Sequence, residues 1–186
     1  MVIVLGTGFF LNNEMDDFTT RIGEKNLYGL VQGVSNVIAP KKQPLSSMAP
    51  TIVIRDGRIS MVLGSPGGSR IITITLETAL NVIDHGMAPQ EAVDAPRIHQ
   101  QWLPDEVFYE TRGLSADTLK ILREMGYRMT EQTPWGAAEL IMVGQPGTAV
   151  PSTSSGNDAA LSGRIRPGIY YGAHDGRRPA GAAAGY

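Results

Sequence analysis

The segment TIVIRDGRISMVLG (residues 51–64), which runs directly into GSPGGSR (64–70), limits the fold more than any other stretch. Two runs rich in β-branched residues flank Asp56-Gly57, a two-residue connection that signals a hairpin because its central positions favour positive φ. The second strand then meets a turn with three glycines, a proline and two serines. Beyond it, apolar residues at 72, 76, 79, 80 and 83 recur at helical spacing, and Gly86 is placed to stop the helix. The order is strand, glycine turn, helix. It predicts the amides of Gly67, Gly68 and Ser69 at a helix N-terminus, where unpaired N–H groups and the helix dipole favour negative charge.

Elsewhere the pattern alternates. VIVLG (2–6), AELIMVG (138–144) and IYYGA (169–173) read as strands. Pro89 to Asp94 fits a short helix with proline in its first turn, and Ser115 to Met125 another, with Asp117 near its start and Gly126 as its stop. Gln145 to Gly168, heavy in Pro, Gly, Ser and Thr, reads as a flexible insertion. The 186 residues suit one domain, and 42% hydrophobic residues suffice for a core. The predicted class is α/β, of the α+β type, with at least part of its sheet antiparallel.

Sixteen basic and eighteen acidic residues, neither sign collected into a run, argue against a nucleic-acid surface. The absence of cysteine excludes a disulfide framework, thiolate metal sites and a cysteine nucleophile. No apolar stretch approaches the roughly 18 residues that cross a bilayer. MVIVLGTGFFL lacks the basic start and small-residue cleavage site of a signal peptide and reads better as a strand.

Three segments carry candidate chemistry. In GSPGGSR the Gly-Lys-Ser/Thr ending of a nucleotide phosphate loop is replaced by Ser69-Arg70, and no G-x-G-x-x-G can be read. An oxyanion or anion site and a plain tight connection both remain open. LNNEMDDF (11–18) crowds Glu14, Asp16 and Asp17 beside two asparagines, which suits a solvated turn, a cradle for an ammonium group or a metal site. The alternating acids and glycine of a calcium loop are missing. PLSSMAP (44–50) offers Ser46 and Ser47 either as caps of a turn or as a clasp for a carboxylate.

Taken in order, LNNEMDDF, NLYGLVQG, PLSSMAPTIV, GSPGGSRI, APRIHQQWLPDE and GAAAGY resemble the small subunit of γ-glutamyltransferases, also called γ-glutamyltranspeptidases or glutathione hydrolases. The likeness runs from about Gly6 to Gly144 and resumes at Tyr170 to Tyr186. It implies part of an N-terminal-nucleophile αββα sandwich with mostly antiparallel sheet. It also implies cleavage of the γ-glutamyl bond of glutathione through an acyl-enzyme, with transfer to water or an amine. Glu14 and Asp17 would hold the substrate ammonium, Ser46 and Ser47 its carboxylate, and Gly67 and Gly68 the tetrahedral oxyanion. Tyr28 matches an aromatic residue on a lid loop. A fixed oxyanion donor is worth ~3 kcal/mol of barrier. No cofactor is implied. The implied partners are the γ-glutamyl substrate and a large subunit from the same precursor, and the implied location is periplasmic or extracellular.

One departure tempers the match. In the family a catalytic threonine opens a segment ahead of the LNNEMDDF stretch, and no residue here aligns with it. Thr19-Thr20 lies on the wrong side of that motif, and Thr7 is internal. Nothing here matches the large subunit either. The expectation is therefore a chain that is inactive alone and supplies binding and oxyanion groups to a complete enzyme. The alternative is an inactive remnant that binds γ-glutamyl compounds or pairs with a large subunit. An anion-binding module unrelated to glutamyl transfer is a third, remote reading. An exposed sheet edge and self-association are also expected.

Overall fold

A four-stranded antiparallel sheet of residues 51–55, 58–64, 139–143 and 170–174, neighbours in that order, carries helices on one face among the described residues. The computed structural model describes residues 4–9, 11–145, 165–178 and 181–183. The hairpin β1 (Thr51–Arg55) and β2 (Arg58–Gly64) turns where expected, with Asp56 at φ 51° and Gly57 at φ 73°. Alternation then sorts the side chains. Met61, Leu63, Leu140, Met142 and Ala173 point to the core from β2, β6 (Glu139–Val143) and β7 (Tyr170–His174). The opposite row, Ile52, Val62, Ile141 and Gly172, is paired across all four strands on the outer face.

The inner face is covered by α1 (Ile71–Ile83) and α2 (Pro89–Asp94). In α1 the buried residues are Ile71, Ile74, Thr75 and Thr78. The stripe at 72, 76, 80 and 83 that announces the helix instead faces outward, because the side bearing Ile74 is the one laid on the sheet. Glu91 reaches back to the Ala88 N–H (3.0 Å) to start α2, and Ala92 and Val93 bury beneath it. A second sheet joins β3 (Ile98–His99), β4 (Val107–Glu110) and β5 (Met129–Gln132). Its β4–β5 pair is parallel, with α3 (Ala116–Glu124) in the crossover. Ser115 caps α3 by accepting from the Thr118 N–H at 3.1 Å.

Two expectations require correction or restriction. Residues 4–9 are not strand: the Val4 N–H donates to Phe9 O and the Thr7 N–H to Val4 O, so the segment satisfies its backbone in a local turn rather than a ladder. Residues 2 and 3 of the expected strand lie outside the described residues. The predicted insertion also falls mostly outside it, at 146–164. Its two described ends are anchored, since Gln145 donates to Ile59 O (3.1 Å) and Ile165 is buried in the core.

The polar centre of the core is a four-residue charge network. Arg97 is 2% exposed and Asp175 0%, and their ion pair measures 2.7 Å. Arg177 bridges Asp175 (3.1 Å) and the buried Glu110 (2.6 Å). The remaining valences are filled by backbone. Val93 O and Trp135 O accept from Arg97, and Ala95 O accepts from Arg177. The Trp135 N–H donates to Glu110 and the Ala138 N–H to Asp175. Burial pushes the Asp175 carboxyl upward, but the Arg177 and Ala138 amides and the Arg97 guanidinium outweigh it and hold it below its ordinary value. Removing one member of a buried pair strands the other without its counter-charge. Asp175→Ala is therefore expected to cost about 3–5 kcal/mol in urea unfolding, whereas Asp56→Ala on the exposed hairpin turn should cost far less.

Candidate functional site

The glycine turn leaves β2 at Gly64 and enters a 3-10 helix, Gly68–Arg70, that continues directly into α1. Gly67 has φ 151° and Gly68 φ 58°, values that a side-chain-bearing residue rarely adopts. The Ser65 hydroxyl pins the turn to the start of β6 by accepting from the Ala137 N–H at 3.2 Å. The Arg70 N–H donates back to Gly67 O. Among the described residues, the N–H groups of Gly67, Gly68 and Ser69 have no recorded acceptor, as befits the opening donors of a helix. Arg70 adds positive charge beside them. Its guanidinium stacks 4.6 Å from the Trp135 ring centroid and 5.5 Å from that of Phe108, and donates to Gln132 Oε1 at 2.6 Å. Burial lowers its pKa. The turn thus offers three unpaired donors and a nearby cation, which suits an anion or a developing oxyanion.

Tyr28 closes over this turn. A Cβ built on Gly68 would overlap the Tyr28 ring, so the glycine is required by the aromatic residue as well as by its own backbone. The Tyr28 loop is organised by Asn26, whose Oδ1 accepts from the Tyr28 and Leu30 N–H groups at 3.0 Å each. Gln101 ties it to the turn: Nε2 donates to Tyr28 O (3.0 Å) and Leu103 O (3.1 Å), while Oε1 accepts from the Ser69 hydroxyl (2.8 Å). His99 completes the group, with Nε2 3.0 Å from Gln101 Oε1 and Nδ1 2.8 Å from the Thr73 hydroxyl. Because the Gln101 amide spends both donors on carbonyls, its oxygen faces His99. The proton therefore belongs on His99 Nε2. Burial lowers the His99 pKa, and Arg70 adds to the effect against the opposing Gln101 bond.

The other predicted residues stand in two separate segments. Glu14 and Asp17 lie in a 3-10 helix, Glu14–Asp17, partly exposed, with Asp16 exposed. That helix is held to residues 32–37: Asn36 donates to Asp17 O at 2.6 Å, and the Thr19 N–H to Asn36 O. Ser46 and Ser47 lie in irregular chain before β1, where Ser46 Oγ accepts from the Met48 N–H at 3.2 Å. Among the described residues no hydrogen bond or ion pair joins 14, 17, 46 or 47 to the glycine turn. A small open cleft lies instead against Thr19, Arg21, Glu24, Lys25, Asn26 and Gln32. Thr19 is buried and its hydroxyl donates to Gly33 O at 2.9 Å, a structural use of that side chain. His99 and Gln101 are not among the candidate residues legible in the sequence, and the HQQ run within APRIHQQWLPDE is their only local signal; Arg70 stands in the GSPGGSR motif without a role that its position alone reveals.

The gamma-glutamyltranspeptidase family model matches residues 1–183. The glutathione hydrolase proenzyme of Pseudomonas sp. (strain A14) is 50% identical over 186 residues, covering 100% of this chain and 30% of that protein. That of Escherichia coli (strain K12) is 51% identical over 146 residues, 78% of this chain and 25% of that protein. The crystal structure of a Helicobacter pylori gamma-glutamyltranspeptidase mutant matches with a TM-score of 0.79 at 44% identity, over 95% of this chain and 86% of that chain. The chain thus spans under a third of the length of these two curated relatives.

Two outcomes follow from this geometry. Gly68→Ala should cost about 1–2 kcal/mol from its left-handed backbone, and more from collision with Tyr28. In a double-mutant cycle with Tyr28→Ala the collision part should vanish. Glu77 provides the second. Burial raises its carboxyl pKa to about 7, against the Ile98 N–H bond and the nearby arginines, and its Oε2 has no recorded partner. A folded-state value above the unfolded one means that stability from this group is full below about pH 4.5 and is lost as pH rises through about 7. Glu77→Gln should therefore raise the melting temperature at pH 8, with the gain shrinking toward pH 4.5.

Proposed function

We propose, since this chain belongs to the gamma-glutamyltranspeptidase family, that it supplies the acyl-binding half of an enzyme that cleaves or transfers γ-glutamyl groups. The observation that carries this reading is the set of Gly67, Gly68 and Ser69 amides, without an acceptor among the described residues, in a turn whose Gly68 lies against the Tyr28 ring. Gly67 and Gly68 donate to the oxyanion as the γ-carbonyl becomes tetrahedral, and Arg70 raises the local potential. The amides are fixed by the helix before charge develops, so no reorganisation accompanies the reaction. Glu14 and Asp17 hold the α-ammonium of the glutamyl group, Ser46 and Ser47 its α-carboxylate, and Tyr28 covers the bound group. The two acids and two hydroxyls answer a zwitterion's two charges. The attacking group is assigned to none of these 186 residues. Glutathione is the favoured substrate class.

The partner is a large-subunit segment of the same precursor. The outer row Ile52, Val62 and Ile141, together with Ile54 at 65% exposure, is an apolar face of a kind that monomers rarely leave open. Edge strand β1 beside it also favours self-association when no partner is present. The proposed location is periplasmic or extracellular; in the structure, no helix among the described residues is long and apolar enough to cross a membrane.

In a γ-glutamyl anilide assay the isolated 186-residue chain should release no aniline, and clear turnover would refute the assignment of the nucleophile elsewhere. By calorimetry, Asp17→Asn and a Ser46→Ala, Ser47→Ala double variant should each weaken glutathione binding about tenfold, the loss of one charge-assisted hydrogen bond or more. Sedimentation should reveal self-association that Ile54→Lys reduces.

A further inference from the structure

We propose that Gln101 is a positioning residue that latches the Tyr28 loop down over the 67–69 amides. The inference deepens the functional reading above, because it concerns how the cover of that same site is held. Its basis is a single amide group that spends both of its ends on the site. The nitrogen end donates to Tyr28 O and Leu103 O, and the oxygen end accepts from Ser69 and His99.

Among the described residues, no other side-chain hydrogen bond joins the 26–30 loop to the strand-turn-helix segment or to β3 and the residues after it. The loop's remaining bonds are internal, through Asn26 and the Gly29 and Asn26 backbone groups. The Tyr28 ring rests on Gly68 by packing alone. Packing without direction allows the ring to slide, whereas the Gln101 bond fixes the loop's height above the turn. His99 fixes the amide in turn. With Nε2–H facing Gln101 Oε1, a flipped amide would set two donors against each other and two carbonyls against an oxygen. The Thr73 bond holds the His99 ring, and Phe108 stacks on it at 6.5 Å between centroids. The latch therefore runs from the core, through His99 and Gln101, to the cover of the anion-binding turn.

Hydrogen exchange on the full 186-residue chain tests this without requiring turnover. Gln101→Glu preserves size and an acceptor for Ser69 and His99 but removes both donors to the carbonyls. The expected result is exchange at least tenfold faster for the amides of Asn26, Tyr28, Gly29 and Leu30, with β2 and β6 unchanged. The His99 ring nitrogens should still report an Nε2–H form, now titrating at higher pH because a carboxylate faces it. Gln101→Leu, a second variant, should speed the same loop amides and also abolish the Gln101-dependent His99 signature. Unchanged loop exchange in both variants would overturn the latch. So would uniform acceleration across β2 and β6, which marks a merely structural residue. Added glutathione separates the two claims: if the latch result holds but glutathione protects nothing in the loop, the substrate reading fails and the positioning role stands.

Discussion

The buried contact between Arg97 and Asp175 is the constraint on which the rest of the molecule depends. Two opposite charges with 2% and 0% exposure persist only with counter-charges and hydrogen-bond partners close around them, and here four parts of the chain supply these. Asp175 and Arg177 follow β7, Glu110 ends β4, the acceptor carbonyls of 93 and 95 close α2, and Trp135 opens the approach to β6. The network thereby joins the two sheets and the second helix. It also fixes Trp135 through both its N–H and its carbonyl, and the Trp135 ring supports Arg70 beside the glycine turn. A path of definite contacts thus leads from the charged core to the amides at 67–69.

The one-sided helix layer explains the distribution of apolar surface. A sheet with helices on both faces would bury both rows of its side chains, but here, among the described residues, the Met61 and Leu63 row is covered and the opposite row is exposed. The row through Ile52, Val62 and Ile141 and the outward stripe of α1 at Ile72, Leu76, Leu80 and Ile83 remain open. Half of an αββα arrangement has this form: one helix layer, one sheet, and an apolar sheet face where the second sheet would stack. The glycine turn lies at the end of β2, where the chain leaves the sheet and enters α1.

The parts governed by local chemistry were legible in the sequence. Asp56-Gly57 announces its hairpin because few residue pairs tolerate positive φ at both positions, and Pro89, Ser115 and Gly126 mark helix ends through capping. Four-residue strands such as Val107–Glu110 and Met129–Gln132 offer too few residues to display a period, and their pairing within the second sheet establishes them. The buried face of α1 was not readable either. Thr75 and Thr78 go inside with Ile71 and Ile74 while Ile72, Leu76, Leu80 and Ile83 stay out, a choice set by which side meets the sheet. At the site, the glycines and Tyr28 carry a recognisable motif. Gln101 acts through an amide whose meaning lies in partners 32 and 73 residues away along the chain.

The central claim is that one receptacle, built from Gly67, Gly68, Tyr28 and the residues at 14, 17, 46 and 47, accepts a γ-glutamyl group. Residue-resolved NMR of the labelled chain during titration with glutathione addresses it most directly. Concerted shifts of the 67–69 amides together with those segments, at a common affinity, are expected. Shifts confined to the polar cleft at Thr19, Arg21 and Gln32, with the glycine turn silent, would contradict it.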